Sequence, residues 1–311
     1  MEPVLNVTLP FFAVIACGFV AGRTGFLGPG AVRSLNAFVF YFALPALLIR
    51  SLANQPIKEI IDLSFVAAWA LSGVLMFVVI AIVVKLAFRK SAGQAAILAQ
   101  CGAAGNIVFL GFPMLIALVG DWATAPVALV ASVDVVILMP IAIIMLEASR
   151  GEATHWLGSL LQVMRTMVVH PIIISIAAGL GLSLLEIPFN VPVDSFLEIL
   201  GAAAAPGALF ALGAFLGVNP KGGGLTAVAV VTLLKLFAYP ALVWIAMTMV
   251  FDVNAQWAMV GTLLAALPTA QYVFIFAERY ETYTAHAAAA INVTTALAVV
   301  TFSALAVQMA G

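Results

Sequence analysis

The sequence predicts an all-α polytopic membrane protein of ten transmembrane helices, built as two inverted five-helix repeats. Three observations predict it: an apolar excess that water could not solvate, ten apolar runs of membrane-spanning length, and a one-sided distribution of positive charge. Of the 311 residues, 65% are hydrophobic and 8% charged, where a soluble domain is roughly half apolar and a quarter charged. So few charges cannot cover a soluble domain of this size, and lipid must solvate most of the surface. No polar block is long enough for a second, soluble domain, and a net charge of −1 argues against nucleic acid, which needs a basic face. Cys17 and Cys101 lie in apolar runs without metal-ligand spacing and read as small buried hydrophobes. No cofactor or metal is implied. The first apolar run has only Glu2 before it, not the basic segment of a signal peptide, so it counts as a helix.

A hydrocarbon core of about 30 Å takes roughly 20 helical residues to cross. Runs of that length between charged or Gly/Pro-marked breaks fall at about Pro3–Ala21, Arg33–Ala53, Leu63–Ala87, Ala92–Val119 and Ala123–Leu146, all within residues 1–150. Within residues 151–311 they fall at about Leu157–Leu184, Val193–Gly217, Leu225–Val250, Ala255–Ala277 and Tyr283–Met309. Long Leu/Ala/Val runs without strict alternation make a β-barrel the poorer alternative. The turns after odd-numbered spans hold nine cations: Arg23, Arg33, Lys85, Arg89, Lys90, Arg150, Arg165, Lys221 and Arg279. The other side holds Arg50 and Lys58, and Lys235 lies inside the eighth span. Positive charge stays on the cytoplasmic side, so both termini are expected outside a bacterial inner membrane.

Five spans per half means the second half enters the membrane from the opposite face, the arrangement of inverted-repeat carriers. Weak internal similarity agrees. The second span reads Phe42-Ala43-Leu44-Pro45-Ala46-Leu47 and the seventh Ala204-Ala205-Pro206-Gly207-Ala208-Leu209. The fourth contains Gly105-Asn106 through Phe112-Pro113, and the ninth Leu267-Pro268-Thr269-Ala270-Gln271. The fourth and ninth are thus apolar spans interrupted mid-membrane beside amide side chains. Pro268 removes a backbone donor and Gly105 weakens the helix at its own site. The freed polar groups must face protein or a wet cavity, and half-helix N-termini favour an anion. Gly105, Asn106, Pro268, Thr269 and Gln271 are therefore the expected substrate-binding residues, with Pro45, Pro113 and Pro206 structural or close to the substrate.

Three stretches carry a family resemblance: Asn36 through Pro45, Asn106 through Pro113, and Leu267-Pro268 followed by Val273-Phe274-Ile275-Phe276-Ala277. In order and spacing they resemble the auxin efflux carrier family, which includes plant PIN-type auxin carriers and bacterial malonate-type carriers. The resemblance implies a five-plus-five inverted fold like that of sodium/proton antiporters and bile-acid transporters, with the fourth and ninth helices crossing at the substrate. It implies a scaffold of helices 1, 2, 6 and 7 and a transport unit of helices 3–5 and 8–10. Plant members typically have proline at the position of Gly105 and tend to have glutamine at that of Asp134. Their long central loop is absent here, where Arg150–Trp156 is short.

Asp134 is the one acid placed deep in the membrane, where a carboxylate must be paired, hydrated or protonated. It is the candidate coupling residue, acting on H+ or alternatively on Na+; uniport driven by the membrane potential also fits. Lys235 reads as counter-ion to Asp134, substrate ligand or brace on the crossover backbone. His155, His170 and His286 share no metal spacing and read as packing or interfacial residues. Trp69, Trp122, Trp156 and Trp257 read as interfacial anchors. No P-loop, Gly-x-Ser-x-Gly or His-Glu-x-x-His stretch occurs, which disfavours a primary pump or an intramembrane enzyme. The expected partners are a small organic anion, the bilayer and a second copy in a homodimer.

Overall fold

The computed structural model describes residues 2–28, 30–54, 62–150, 169–218 and 224–310. Lys58, Glu59, His155, Trp156, Arg165, Lys221 and the first part of the sixth expected span lie outside them. The described residues form helices and no strand. We label them α1 (Glu2–Arg23), α2 (Ala31–Ala53), α3 (Leu63–Ala87), α4 (Ala92–Ala103), α5 (Ile107–Val119), α6 (Asp121–Ser149), α7 (Pro171–Leu184), α8 (Val191–Val218), α9 (Thr226–Val250), α10 (Ala255–Ala265), α11 (Tyr272–Arg279) and α12 (Thr284–Ala310). Seven of these, α1 to α3, α6, α8, α9 and α12, are long and apolar enough to cross a membrane, and α5, α7 and α10 are shorter apolar helices. Helix starts are capped by local side chains. Ser91 and Gln94 close a reciprocal capping box on α4, and Asp62, Asn190 and Asn254 cap α3, α8 and α10, satisfying amides that have no helical acceptor. After α7 and α11, Glu186 and Glu281 turn left-handed while Ile187 and Thr282 donate back to Leu182 and Ala277, the bonding of a Schellman stop.

Prolines inside spans explain a recurring distortion. A π turn at Ala246–Val250 ends α9 with no proline after it, but four others, Val39–Ala43, Ile107–Gly111, Asp134–Leu138 and Leu234–Ala238, share a cause. In each, the next amide (Leu44, Phe112, Met139 or Tyr239) donates to the carbonyl five residues back. The residue after that is a proline: Pro45, Pro113, Pro140 or Pro240. A proline ring clashes with the carbonyl four residues behind it and cannot donate to it; widening the preceding turn accommodates both. The helix runs through Pro45, and α8 runs through Pro206 after a single turn residue at Ala203.

The closest packing joins α1 to α8. A β-carbon at Gly18 or Gly22 would enter the carbonyls of Phe210 or Ala214, and one at Gly213 or Gly217 would enter those of Ile15 or Phe19. Small residues four apart on both helices let the backbones touch where lipid gives no hydrophobic drive. Ile15 meets Gly213 and Phe19 meets Gly217, so the two helices run parallel. Helix α7 packs on α2, with Gly179 against Ile49 and Leu52. Arg50 on α2 holds Asp194 of α8 through two bonds of 2.7 and 3.0 Å and reaches Glu198 at 3.3 Å. Two expectations are corrected here. Cys17 is exposed, because it lies off the Thr8, Phe12, Ile15, Gly18 stripe that α1 turns inward. Trp69 is no interfacial anchor: it is fully buried.

Candidate functional site at the paired helix interruptions

Helix α4 stops at Ala103 because Ala104 turns extended, and α10 stops at Ala265 ahead of Pro268. The two interruptions meet. Asn106 N–H donates to the Pro268 carbonyl (2.8 Å) and Ala270 N–H to the Ala104 carbonyl (3.2 Å), an antiparallel bridge of Gly105 with Thr269. Backbone groups that cannot be left bare in a membrane are thereby satisfied by each other. The carbonyls at the two helix ends are capped from elsewhere: Thr269 Oγ1 donates to Cys101 O (2.7 Å) and Lys235 Nζ to Ala265 O (3.0 Å). A cation suits the negative end of a helix. Thr294 of α12 completes the frame, accepting from Thr269 N–H at 3.1 Å.

Around this frame lie buried polar atoms without a hydrogen-bond partner in the protein: Asn106 Nδ2, both amide atoms of Gln271 and Gln100 Oε1. Gln100 spends its other amide atom on the Tyr272 hydroxyl, 2.7 Å away. Unpartnered buried polar groups are few in folded proteins and each costs about 1–3 kcal/mol, so the cluster makes this place the candidate ligand site. Gly105 leaves room for Lys235, whose Nζ lies 3.5 Å from where a β-carbon would stand, and that carbon would press on Leu264 O at 3.1 Å.

Asp134 opens one π turn and Lys235 lies in another. Both are buried. They form no contact ion pair. Instead Trp69 Nε1 donates to Asp134 Oδ1 at 2.9 Å, and Oδ2 has no partner. The Trp69 ring packs on Tyr239 at 5.7 Å, and Lys235 Nζ sits 4.6 Å from the centre of the Tyr239 ring. A contiguous row therefore runs from the Ala265 carbonyl through Lys235, Tyr239 and Trp69 to Asp134.

A family model described as "Membrane transport protein" matches residues 3–305. The chain belongs to that family. The family is the one whose auxin efflux carriers the sequence resembles, and the chain is a multi-pass membrane transporter. Over 305 residues, 98% of this transporter and 95% of the relative, it is 29% identical to the "Putative malonate transporter" of Rhizobium meliloti (strain 1021). It is 26% identical to the "Uncharacterized transporter YfdV" of Escherichia coli (strain K12), over 92% of this chain and 91% of that one. A more distant similarity, 26% over 222 residues, links it to a quarter (25%) of the "Lysosomal cholesterol signaling protein" of Mus musculus.

In this transporter the sequence-derived candidates divide into two groups. Gly105, Asn106, Pro268, Thr269 and Gln271 come together at the bridge, with Lys235 beside them. Asp134 lies at the other end of the Trp69–Tyr239 row from Lys235, Pro113 follows its π turn in α5, and Pro45 and Pro206 lie in continuous helices. Sequence reading passed over Gln100, Tyr239, Tyr272 and Thr294, and it took Trp69 for an interfacial anchor. Only Gln100 carried a local signal, an amide inside the apolar run just before an interruption.

Proposed function

We propose that this chain is a secondary active transporter of small organic anions, malonate-like or auxin-like mono- or dicarboxylates, and that it binds them at the paired interruptions. The observation that carries the reading is the set of unpartnered donors, Asn106 Nδ2 and Gln271 Nε2, beside the starts of α5 and α11. Amide donors and helix N-termini together favour a carboxylate, and the relative named as a malonate transporter points to the same class. In this reading α5, α7 and α10–α11 complete ten spans, and residues 1–150 and 151–311 are inverted repeats. The pairing of α1 with α8 and of α7 with α2 supports that symmetry, since it joins the first span to the seventh and the sixth to the second. Helices 1, 2, 6 and 7 stay fixed while helices 3–5 and 8–10 slide as an elevator. Asp134 couples the cycle to protons, and Lys235 links its charge state to the crossover. A sodium-coupled reading rests instead on the unpartnered oxygens Gln100 Oε1 and Gln271 Oε1.

Counterflow in proteoliposomes across a panel of mono- and dicarboxylates tests the assignment. Acids should exchange, while their neutral amides should not; equal exchange of acid and amide would refute charge reading. Asn106→Ala removes one donor of about 1–3 kcal/mol, so affinity should drop by about one to two orders of magnitude at normal folded yield. Unchanged uptake in that variant would remove Asn106 from the site. Sodium-dependent uptake that ignores a pH gradient would decide for sodium.

Orientation has its own test. In a Cys17→Ser background, an impermeant maleimide on intact cells should label Glu186→Cys and spare Glu281→Cys, because the cation bias puts the turn after α7 outside. The reverse pattern would invert the topology.

A further inference from the structure

A cavity of about 350 Å³ lies between α1, α8 and α12, away from the paired interruptions. Its walls are Phe12, Ile15 and Phe19 from α1, Leu216 from α8, and Ala296 and Val299 from α12, with Asn292 and Thr295 as the polar lining. It opens outward: Ala16, Phe19 and Ala296 are exposed, and in a bilayer that face meets lipid. We propose that this groove binds one hydrocarbon chain of an anionic phospholipid, drawn from the leaflet where α1 ends and α12 begins.

Depth supports a chain that enters from that leaflet. Phe12 lies 11 residues before Arg23, and Thr295 lies 11 residues after Thr284, so at 1.5 Å per residue both stand about 16 Å in from the helix ends. Phe19 and Leu216 sit near the same surface. The groove thus runs from just under the headgroup layer to about the middle of the membrane. Asn292, half-buried two turns into α12, sits at the upper part of the groove, where its amide can donate to a glycerol ester carbonyl. Thr295 Oγ1 is buried without a partner lower down.

Charge selects the headgroup. Arg23 is the last residue of α1, one turn beyond Phe19 and on the same face, since residues four apart on a helix align. It is exposed and has no ion-pair partner among the described residues. A guanidinium at this level meets phosphate bidentately, and anionic lipids attract such residues. A neutral apolar ligand would use the groove but not the arginine.

Native mass spectrometry of the full chain, extracted from bilayers of phosphatidylglycerol and phosphatidylethanolamine, tests this without reading transport. The wild type should keep one phospholipid through detergent exchange and favour phosphatidylglycerol. Ala296→Trp fills the groove from α12 and should reduce retention at least tenfold, with an unchanged elution profile and unfolding midpoint. Should that variant fail to fold, Ala16→Leu narrows the groove from the other wall with the same expected loss. Arg23→Gln should keep a phospholipid but lose the headgroup preference. Equal retention in the filled-groove variants would overturn the proposal. So would a retained mass matching a fatty acid or detergent, or loss of a second protein copy with the lipid count unchanged.

Discussion

Replacing Gly213 with valine should leave little or no folded transporter in the membrane. A β-carbon there enters the Ile15 carbonyl and lies 2.8 Å from the Phe19 amide nitrogen. Both obstacles are backbone, so no side-chain rotation relieves them and α1 must move away from α8. Overpacking a core typically costs about 1–3 kcal/mol and occasionally more. Here the cost should exceed that range, because separating the helices also breaks the reciprocal contacts at Gly18, Gly22 and Gly217. The yield of monodisperse fusion protein and its thermal unfolding midpoint measure the effect. Gly28→Ala is the control, since a β-carbon at Gly28 meets nothing within 4 Å. A Gly213→Val protein with wild-type yield and midpoint would mean that the helices are not in backbone contact.

Asp134→Asn should separate binding from coupling. The amide oxygen can still accept from Trp69, as Asp134 Oδ1 does at 2.9 Å, and the amide nitrogen takes the place of the unpartnered Oδ2. Shape and the one hydrogen bond survive; the ionisable group does not. If Asp134 gains and loses a proton in each cycle, each pH unit across the membrane stores about 1.4 kcal/mol per proton carried, a concentration ratio of about tenfold. Wild-type proteoliposomes should approach that ratio under an imposed gradient. The variant should still exchange substrate yet accumulate none. Full accumulation by Asp134→Asn would exclude the residue from coupling.

Local physics was legible in the sequence, and distant pairing was not. Apolar runs such as Leu63–Ala87 read directly as helices, because length and composition decide whether a segment can lie in lipid. Interruption at Gly105 and Pro268 was legible for the same reason: both residues act on their own backbone. What the interruptions bond to was not. Thr269 and Cys101 are separated by 168 residues, and Gln100 and Tyr272 by 172. Trp69 misled because tryptophan has an affinity for interfaces, whereas here its N–H answers a buried carboxylate. Asp134 was legible as an acid deep in the membrane, but its hydrogen-bond partner was not: the bond goes to Trp69 of α3, a pairing that depends on how the helices turn about their axes.

The bridge between Gly105 and Thr269 also bears on how such proteins diversify. Its hydrogen bonds use only main-chain atoms, Asn106 N to Pro268 O and Ala270 N to Ala104 O, so they survive side-chain replacement unless proline removes a donor at 106 or 270. The side chains on that frame are then free to vary without dismantling it. A lineage holding such a frame can change the side chains around it one substitution at a time, keeping the same backbone. Relatives only 26–29% identical over nearly their whole length are what such tolerance would produce.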